Sequence, residues 1–175
     1  MARIPPVDYE SADTELRQAY DHQIAAHGRV TNMKRTLGHS PPAFRALMEW
    51  YPLEEAVVPF LGQRRARLFA HAISAETDCL ICSTFFRRIL TEAGEHPDRL
   101  ELDERDQVIV DYGRQLALDS NGVSDELFGR LASFLAPDQI VTLTTFGALM
   151  VATNVFNNAL QVDLDEYLAP YRQGG

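Results

Sequence analysis

The chain contains two cysteines, and they stand three positions apart as Cys79-Leu80-Ile81-Cys82. That spacing on a helix sets the Cβ atoms about 5–6 Å from each other, so a modest adjustment brings the sulfurs to bonding distance. The chemistry on offer is a two-electron cycle between dithiol and disulfide. Thr77 or Asp78 is the expected N-cap of the helix that carries the pair, which places both cysteines in its first turn. There the helix macrodipole favours thiolate by about 0.3–1 kcal/mol. Glu76 and Asp78 oppose it, each by ~1 kcal/mol at ~8 Å and an effective dielectric of ~40. The effects nearly cancel.

Other readings of the pair stay open. Zinc needs four ligands, and His22, His27, His39, His71 and His96 offer no zinc-finger spacing to the two sulfurs, so no metal is expected. Alternatively, both cysteines are inert small hydrophobes of the core. Arginine is concentrated nearby: Leu61 to Gly94 holds five basic residues (Arg64, Arg65, Arg67, Arg87, Arg88) against three acidic ones, in a chain whose single lysine is Lys34. Such arginines form either solvated faces and ion pairs or a basic mouth for an anionic substrate.

The elements that must position the pair read as helices. Ser11 and Asp13 can cap a helix from about Ala12 to Ala26, closed by Gly28, and Ser40 caps the next with Pro41 and Pro42 in its first turn. Pro52 and Pro59 predict a break, with an irregular or short helical connection. Helices follow from Leu61 to Ile73, from the cysteines to Gly94, from Asp103 to about Asp119, from Ser124 to Phe134 and from Pro137 to about Leu160. The last is apolar nearly all round and is expected at the centre or between subunits. No window alternates with period two, so the expected fold is all-α: an N-terminal arm over 1–10 and one domain over 11–175.

The composition bounds the function. With 175 residues, 46% hydrophobic and 23% charged, the chain can bury a substantial core. Residues 1–94 hold 11 basic and 11 acidic side chains and residues 95–175 hold 5 and 14, so the net −9 lies wholly in the second part. That balance excludes nucleic acid as the main partner. The longest apolar run, Phe146 to Ala152, is too short to span a bilayer, and the start has no secretory pattern, so a soluble cytoplasmic protein is expected.

Several segments together resemble the carboxymuconolactone decarboxylase superfamily, and more closely its alkylhydroperoxidase D-like (AhpD-like), peroxidase-related branch. They are Gly28-Arg29-Val30-Thr31-Asn32 with Leu37 and Ser40-Pro41, the helix–turn–Cys-x-x-Cys unit from Arg64 to Gly94, and Leu102-Asp103-Glu104-Arg105. Gly122-Val123-Ser124-Asp125-Glu126 and Asn154-Val155-Phe156-Asn157-Asn158-Ala159-Leu160 complete the set. The resemblance implies an AhpD-like helical bundle built around the Cys-x-x-Cys helix and assembled as a trimer or hexamer. It further implies that Cys82 attacks a peroxide, that Cys79 resolves the sulfenic acid, and that a thiol reductant restores the pair with no cofactor. Two positions depart from the redox-active pattern: its glutamate, twelve residues before the first cysteine, is Arg67, and its histidine, four after the second, is Phe86. Neither is a general base at neutral pH, a loss that usually costs ~10²–10⁴ in rate.

His71, one turn beyond Arg67, is the candidate replacement as proton carrier; the bland alternative is a core or interface histidine. The leading expectation is a thiol–disulfide oxidoreductase of weak or altered activity, reducing a small hydroperoxide or disulfide, with Arg67 and Phe86 at the substrate. The alternative is a non-redox member of the fold: a decarboxylase, a lactone-processing enzyme or a binder of small acids. A third possibility is an oligomer with a structural or regulatory role.

Overall fold

In the computed structural model, residues 2–173 are described; Met1, Gly174 and Gly175, the ends of the expected arm and domain, lie outside them. The chain is 73% helical with no strand among the described residues, an all-α fold of nine α-helices. These are α1 (Thr14–His27), α2 (Asn32–Leu37), α3 (Pro41–Met48), α4 (Trp50–Leu61), α5 (Gln63–Glu76), α6 (Leu80–Glu92), α7 (Glu104–Leu118), α8 (Asp125–Ala132) and α9 (Pro137–Leu160).

Local chemistry sets most of the boundaries. Asp13 caps α1 by accepting from the Leu16 N–H at 2.8 Å, and Gly28, at φ 77°, ends it in the left-handed region. Ser40 caps α3, and Ser124 caps α8 through the Leu127 N–H. Asp103 and Asp106 form a reciprocal capping box at the start of α7.

The break expected at Pro52 and Pro59 does not occur, because α4 runs through both. Pro52 lies in the first turn, where an N–H has no intrahelical partner to lose. Pro59 is an interior proline close to the C-terminal end, and burial of Val57 and Leu61 holds the helix together around it. The break comes earlier, at Glu49, between α3 and α4.

Helix α5 is the hub, packed on α4, α6, α7 and α9. Phe69, fully buried, explains the closeness. A Cβ at Gly147 of α9 would meet its ring at 2.8 Å, and one at Gly113 of α7 would meet it at 3.0 Å. Two glycines thus form the notch that receives Phe69 and let three helices converge. Helix α9 is, by length and composition, apolar enough to cross a membrane, with a mean hydropathy of 1.4 over 18 residues, well beyond the short run expected to be the longest. Its apolarity matches its position: Leu143, Phe146 and Met150 are buried in the main core. Buried Thr153, Asn154 and Asn157 interrupt its apolar character toward the C-terminal end. The N-terminal arm docks on that end, where Arg3 donates to the carbonyls of Leu160 (2.9 Å) and Ala159 (2.8 Å).

Candidate active site

The junction of α5 and α6 creates the site. Helix α5 ends in a Schellman motif: the Cys79 N–H donates to the Ser74 carbonyl at 3.0 Å and the Asp78 N–H to Ala75 at 3.1 Å, with Asp78 in the left-handed region at φ 50°. Cys79 is therefore both the last residue of that motif and the N-cap of α6. The N-cap expected at Thr77 or Asp78 is displaced onto the first cysteine, because the left-handed Asp78 is already committed to closing α5. Cys82 lies in the first turn, and the two free sulfurs are 3.5 Å apart.

The cysteines differ electrostatically. The Cys82 S–H faces the Cys79 sulfur as a hydrogen-bond donor, which lowers the Cys79 pKa; burial opposes this, while the Cys82 and Ile81 N–H groups assist. The Cys79 sulfur makes no full cap hydrogen bond, so the N–H groups act through their field. Cys82 is pushed up, first by donating to Cys79 and then by burial. The negative charge of the dithiol belongs on Cys79.

Asn157 of α9 completes the centre. Its amide nitrogen lies 3.3 Å from the Cys82 sulfur and 3.5 Å from the Met33 sulfur, and it favours thiolate on both cysteines. Asn154 donates to the Thr77 hydroxyl at 2.8 Å and Asn158 to the Thr77 carbonyl at 2.9 Å, pinning the α5–α6 turn to α9. The sequence held a signal for these contacts: asparagine is a poor helix former and is costly to bury, so asparagines in an apolar helix need polar partners.

Cys82, but not Cys79, lines a chamber of about 100 Å³. Met33, Trp50, Phe85, Phe86 and Met150 form its apolar part. Trp50 is the organiser, tilted against Phe86 at 6.2 Å between centroids while its indole N–H donates to the Met150 sulfur at 2.6 Å. Phe86 is thus a chamber wall.

Arg67 and His71 lie elsewhere. Neither lines the chamber. Arg67 is half-buried and its field acts on Glu54. His71 is buried and its pKa is pushed down to about 4, by burial first and then by Arg87 and Arg114, with Asp98 opposing. The other arginines between Leu61 and Gly94 form ion pairs, Arg88 with Glu92 at 3.3 Å while also lying over the Phe85 and Tyr167 rings. Arg64 pairs with Glu95 and Asp106, Arg65 with Asp106 (2.7 Å) and Asp103 (2.8 Å), and Arg87 with both oxygens of Asp98 at 2.8 Å. Among the described residues, no group of three or more His, Cys, Asp or Glu side chains is arranged to hold a metal ion.

No family model matches the sequence, and no curated protein matches it. Solved structures do. A peroxidase-related protein from Ralstonia eutropha JMP134, described as an alkylhydroperoxidase AhpD core, superposes with a TM-score of 0.78 at 19% identity, covering 95% of this chain and 94% of that one. A peroxidase-related protein from Silicibacter sp. TM1040 gives 0.73 at 15% identity over 94% and 93%. A variant of the debrominase Bmp8 in complex with 2,3,4-tribromopyrrole gives 0.80 at 14% identity over 96% and 94%. The chain has the AhpD-like fold over nearly its whole length.

Proposed function

We propose that this chain is a thiol–disulfide oxidoreductase that acts on a small, largely apolar substrate through Cys82 and Cys79. The observation that carries this is the asymmetric pair: two sulfurs 3.5 Å apart, of which only Cys82 lines the chamber. Cys79 takes the role of the missing proton carrier. With a hydroperoxide, the Cys82 proton passes to the Cys79 thiolate while the Cys82 sulfur attacks the terminal oxygen. The O–O bond breaks, the departing alkoxide takes the proton from Cys79, and Cys82 becomes a sulfenic acid. Cys79 then attacks the Cys82 sulfur and expels hydroxide, leaving a disulfide. The dithiol loses two electrons and the O–O bond gains them. A thiol reductant, as a reducing cytoplasm supplies, restores the pair.

A second reading uses the same electrons. The aromatic walls and small volume suit a flat ring, and the similarity to Bmp8 suggests reductive debromination. The Cys82 thiolate would take bromine from a ring carbon, the carbon would take a proton, and Cys79 would displace bromide to close the disulfide.

The test is mass spectrometry of the alkylated protein after exposure to cumene hydroperoxide or to 2,3,4-tribromopyrrole. One intramolecular disulfide per chain with the first compound supports the peroxidase reading; disulfide with bromide release from the second supports debromination. A pair that stays reduced with both removes the oxidoreductase proposal. We also carry forward the trimer or hexamer implied by the resemblance, supported by exposed Val141 and Val155 on α9 and Phe128 on α8. Sedimentation should show an oligomer that Val141→Asp weakens; a monomeric wild type would refute it.

A further inference from the structure

The lining of the chamber includes a few polar groups that are not hydrogen-bonded to one another. Lys34 is 3% exposed and the single lysine of the chain, and its side chain has no hydrogen-bond or ion-pair partner among the described residues; its ammonium nitrogen rests 4.9 Å from the centroid of the Tyr51 ring. Asp165 uses one carboxylate oxygen to accept from the Asn32 N–H at 2.9 Å, while Oδ2 is buried with no partner. Arg29, whose field acts on Asp165, is stacked 3.9 Å from the Tyr167 ring centroid. Lys34, Tyr51, Asp165 and Tyr167 all line the same chamber as Cys82. The field of Asp165 acts on Lys34, but no hydrogen bond joins them, and a buried carboxylate oxygen without a donor is costly unless a ligand supplies one.

We infer that the polar part of this lining, centred on Lys34 and Asp165, is a binding site for the hydroxyl of a small hydroxy-arene, a substituted phenol whose ring lies among Trp50, Phe85 and Phe86. A hydroxyl serves both groups with one atom, donating to Asp165 Oδ2 and accepting from the Lys34 ammonium. A ring N–H donates only and leaves Lys34 unserved. A carboxylate pairs with Lys34 but sets a second negative charge against Asp165. The chamber, about 100 Å³, is smaller than the ~150 Å³ cavity that takes benzene, so it admits at most one ring, with any further substituent left outside it. This inference rests on the reading of the Cys82 chamber as the substrate chamber, and it adds the substrate class.

Trp50 is the only tryptophan and lines the chamber, so its fluorescence reports occupancy directly. Reduced wild-type protein is titrated with 4-ethylphenol, its methyl ether 4-ethylanisole, and 4-ethylbenzoate. The phenol should bind roughly tenfold or more tightly than the ether, and benzoate more weakly than the phenol. Asp165→Asn should lower phenol affinity to that of the ether, and Lys34→Met should weaken phenol and ether alike, since either oxygen accepts from the ammonium. Equal affinity for phenol and ether in the wild type, tighter binding of benzoate, or no response to any of the three overturns the site, and none of these outcomes depends on a variant folding. The titration needs no turnover. Phenol preference in a protein whose cysteines never oxidise would sink only the oxidoreductase reading, and disulfide formation without the preference would sink only the hydroxyl site.

Discussion

Cys79 and Cys82 are one helical turn apart yet are opposite in character, because one caps the helix and the other lies inside it against Asn157. Each sets the titration of the other, which makes the pair testable by substitution. Replacing Cys79 by serine weakens the hydrogen bond and removes the neighbouring charge that hold the Cys82 pKa up, and leaves burial as the main opposing effect. The midpoint of Cys82 alkylation by iodoacetamide should therefore move to lower pH in Cys79→Ser, although disulfide formation is lost. An unmoved midpoint would show that the sulfurs do not communicate. Asn157→Leu removes a donor to the thiolate, an interaction worth about 1.5–3 kcal/mol when the acceptor is charged. Alkylation near neutral pH should slow by about tenfold in that variant while the circular dichroism spectrum is retained. At this scale the sequence showed the dithiol and the wall residue Phe86. It could not show Asn157 or Lys34 as neighbours of the chamber, because nothing along the chain fixes which face of α9 or α2 meets α6.

At the scale of elements, the α5–α6 turn decides where the sulfurs sit, and Asp78 is its pivot. At φ 50° a glycine fits without penalty and a β-branched residue does not. Asp78→Gly should leave denaturant stability within about 0.5 kcal/mol of wild type, while Asp78→Val should cost about 1–2 kcal/mol and slow disulfide closure, read in the same preparation by alkylation trapping. The notch around Phe69 is tighter still. Gly147→Ala drives a methyl group into that ring and the Leu116 side chain, each 2.8 Å from the new carbon, and should cost about 1–3 kcal/mol in urea denaturation. Most boundaries were legible because caps such as Asp13, Ser40, Asp103 and Ser124 act locally, whereas the six-residue α2 was not expected and α4 was expected only as a broken connection. The proline rule failed at α4, where Val57 and Leu61 anchor the helix in the core, and the N-cap assignment failed at Cys79, where closing the previous helix takes precedence. Both failures are cases of a neighbouring element overriding a one-residue preference.

For the molecule as a whole, the ion pairs of Arg64, Arg65 and Arg87 tie elements together, and His71 is a buried group through which the fold responds to acid. It is buried on α5 in the field of Arg87 and Arg114, so the folded protein accepts a proton there only near pH 4, whereas the unfolded chain accepts one near 6.5. Above pH 6.5 both states are neutral and the site is silent. As pH falls from 6.5 toward 4 the unfolded state binds the extra proton, and stability should drop by up to about 3 kcal/mol. Burial raises the pKa of Glu54 and of Asp165, and these carboxylates act in the opposite direction, since the folded state then takes up protons first. The net slope mixes the three, so the informative quantity is the difference between proteins. Urea midpoints of wild type and His71→Leu, measured at intervals from pH 7.5 to 4.5, should diverge in favour of the variant as the solution becomes acidic. Parallel curves would mean that His71 is hydrated in solution, and would reopen it as a proton carrier able to communicate with the cysteines.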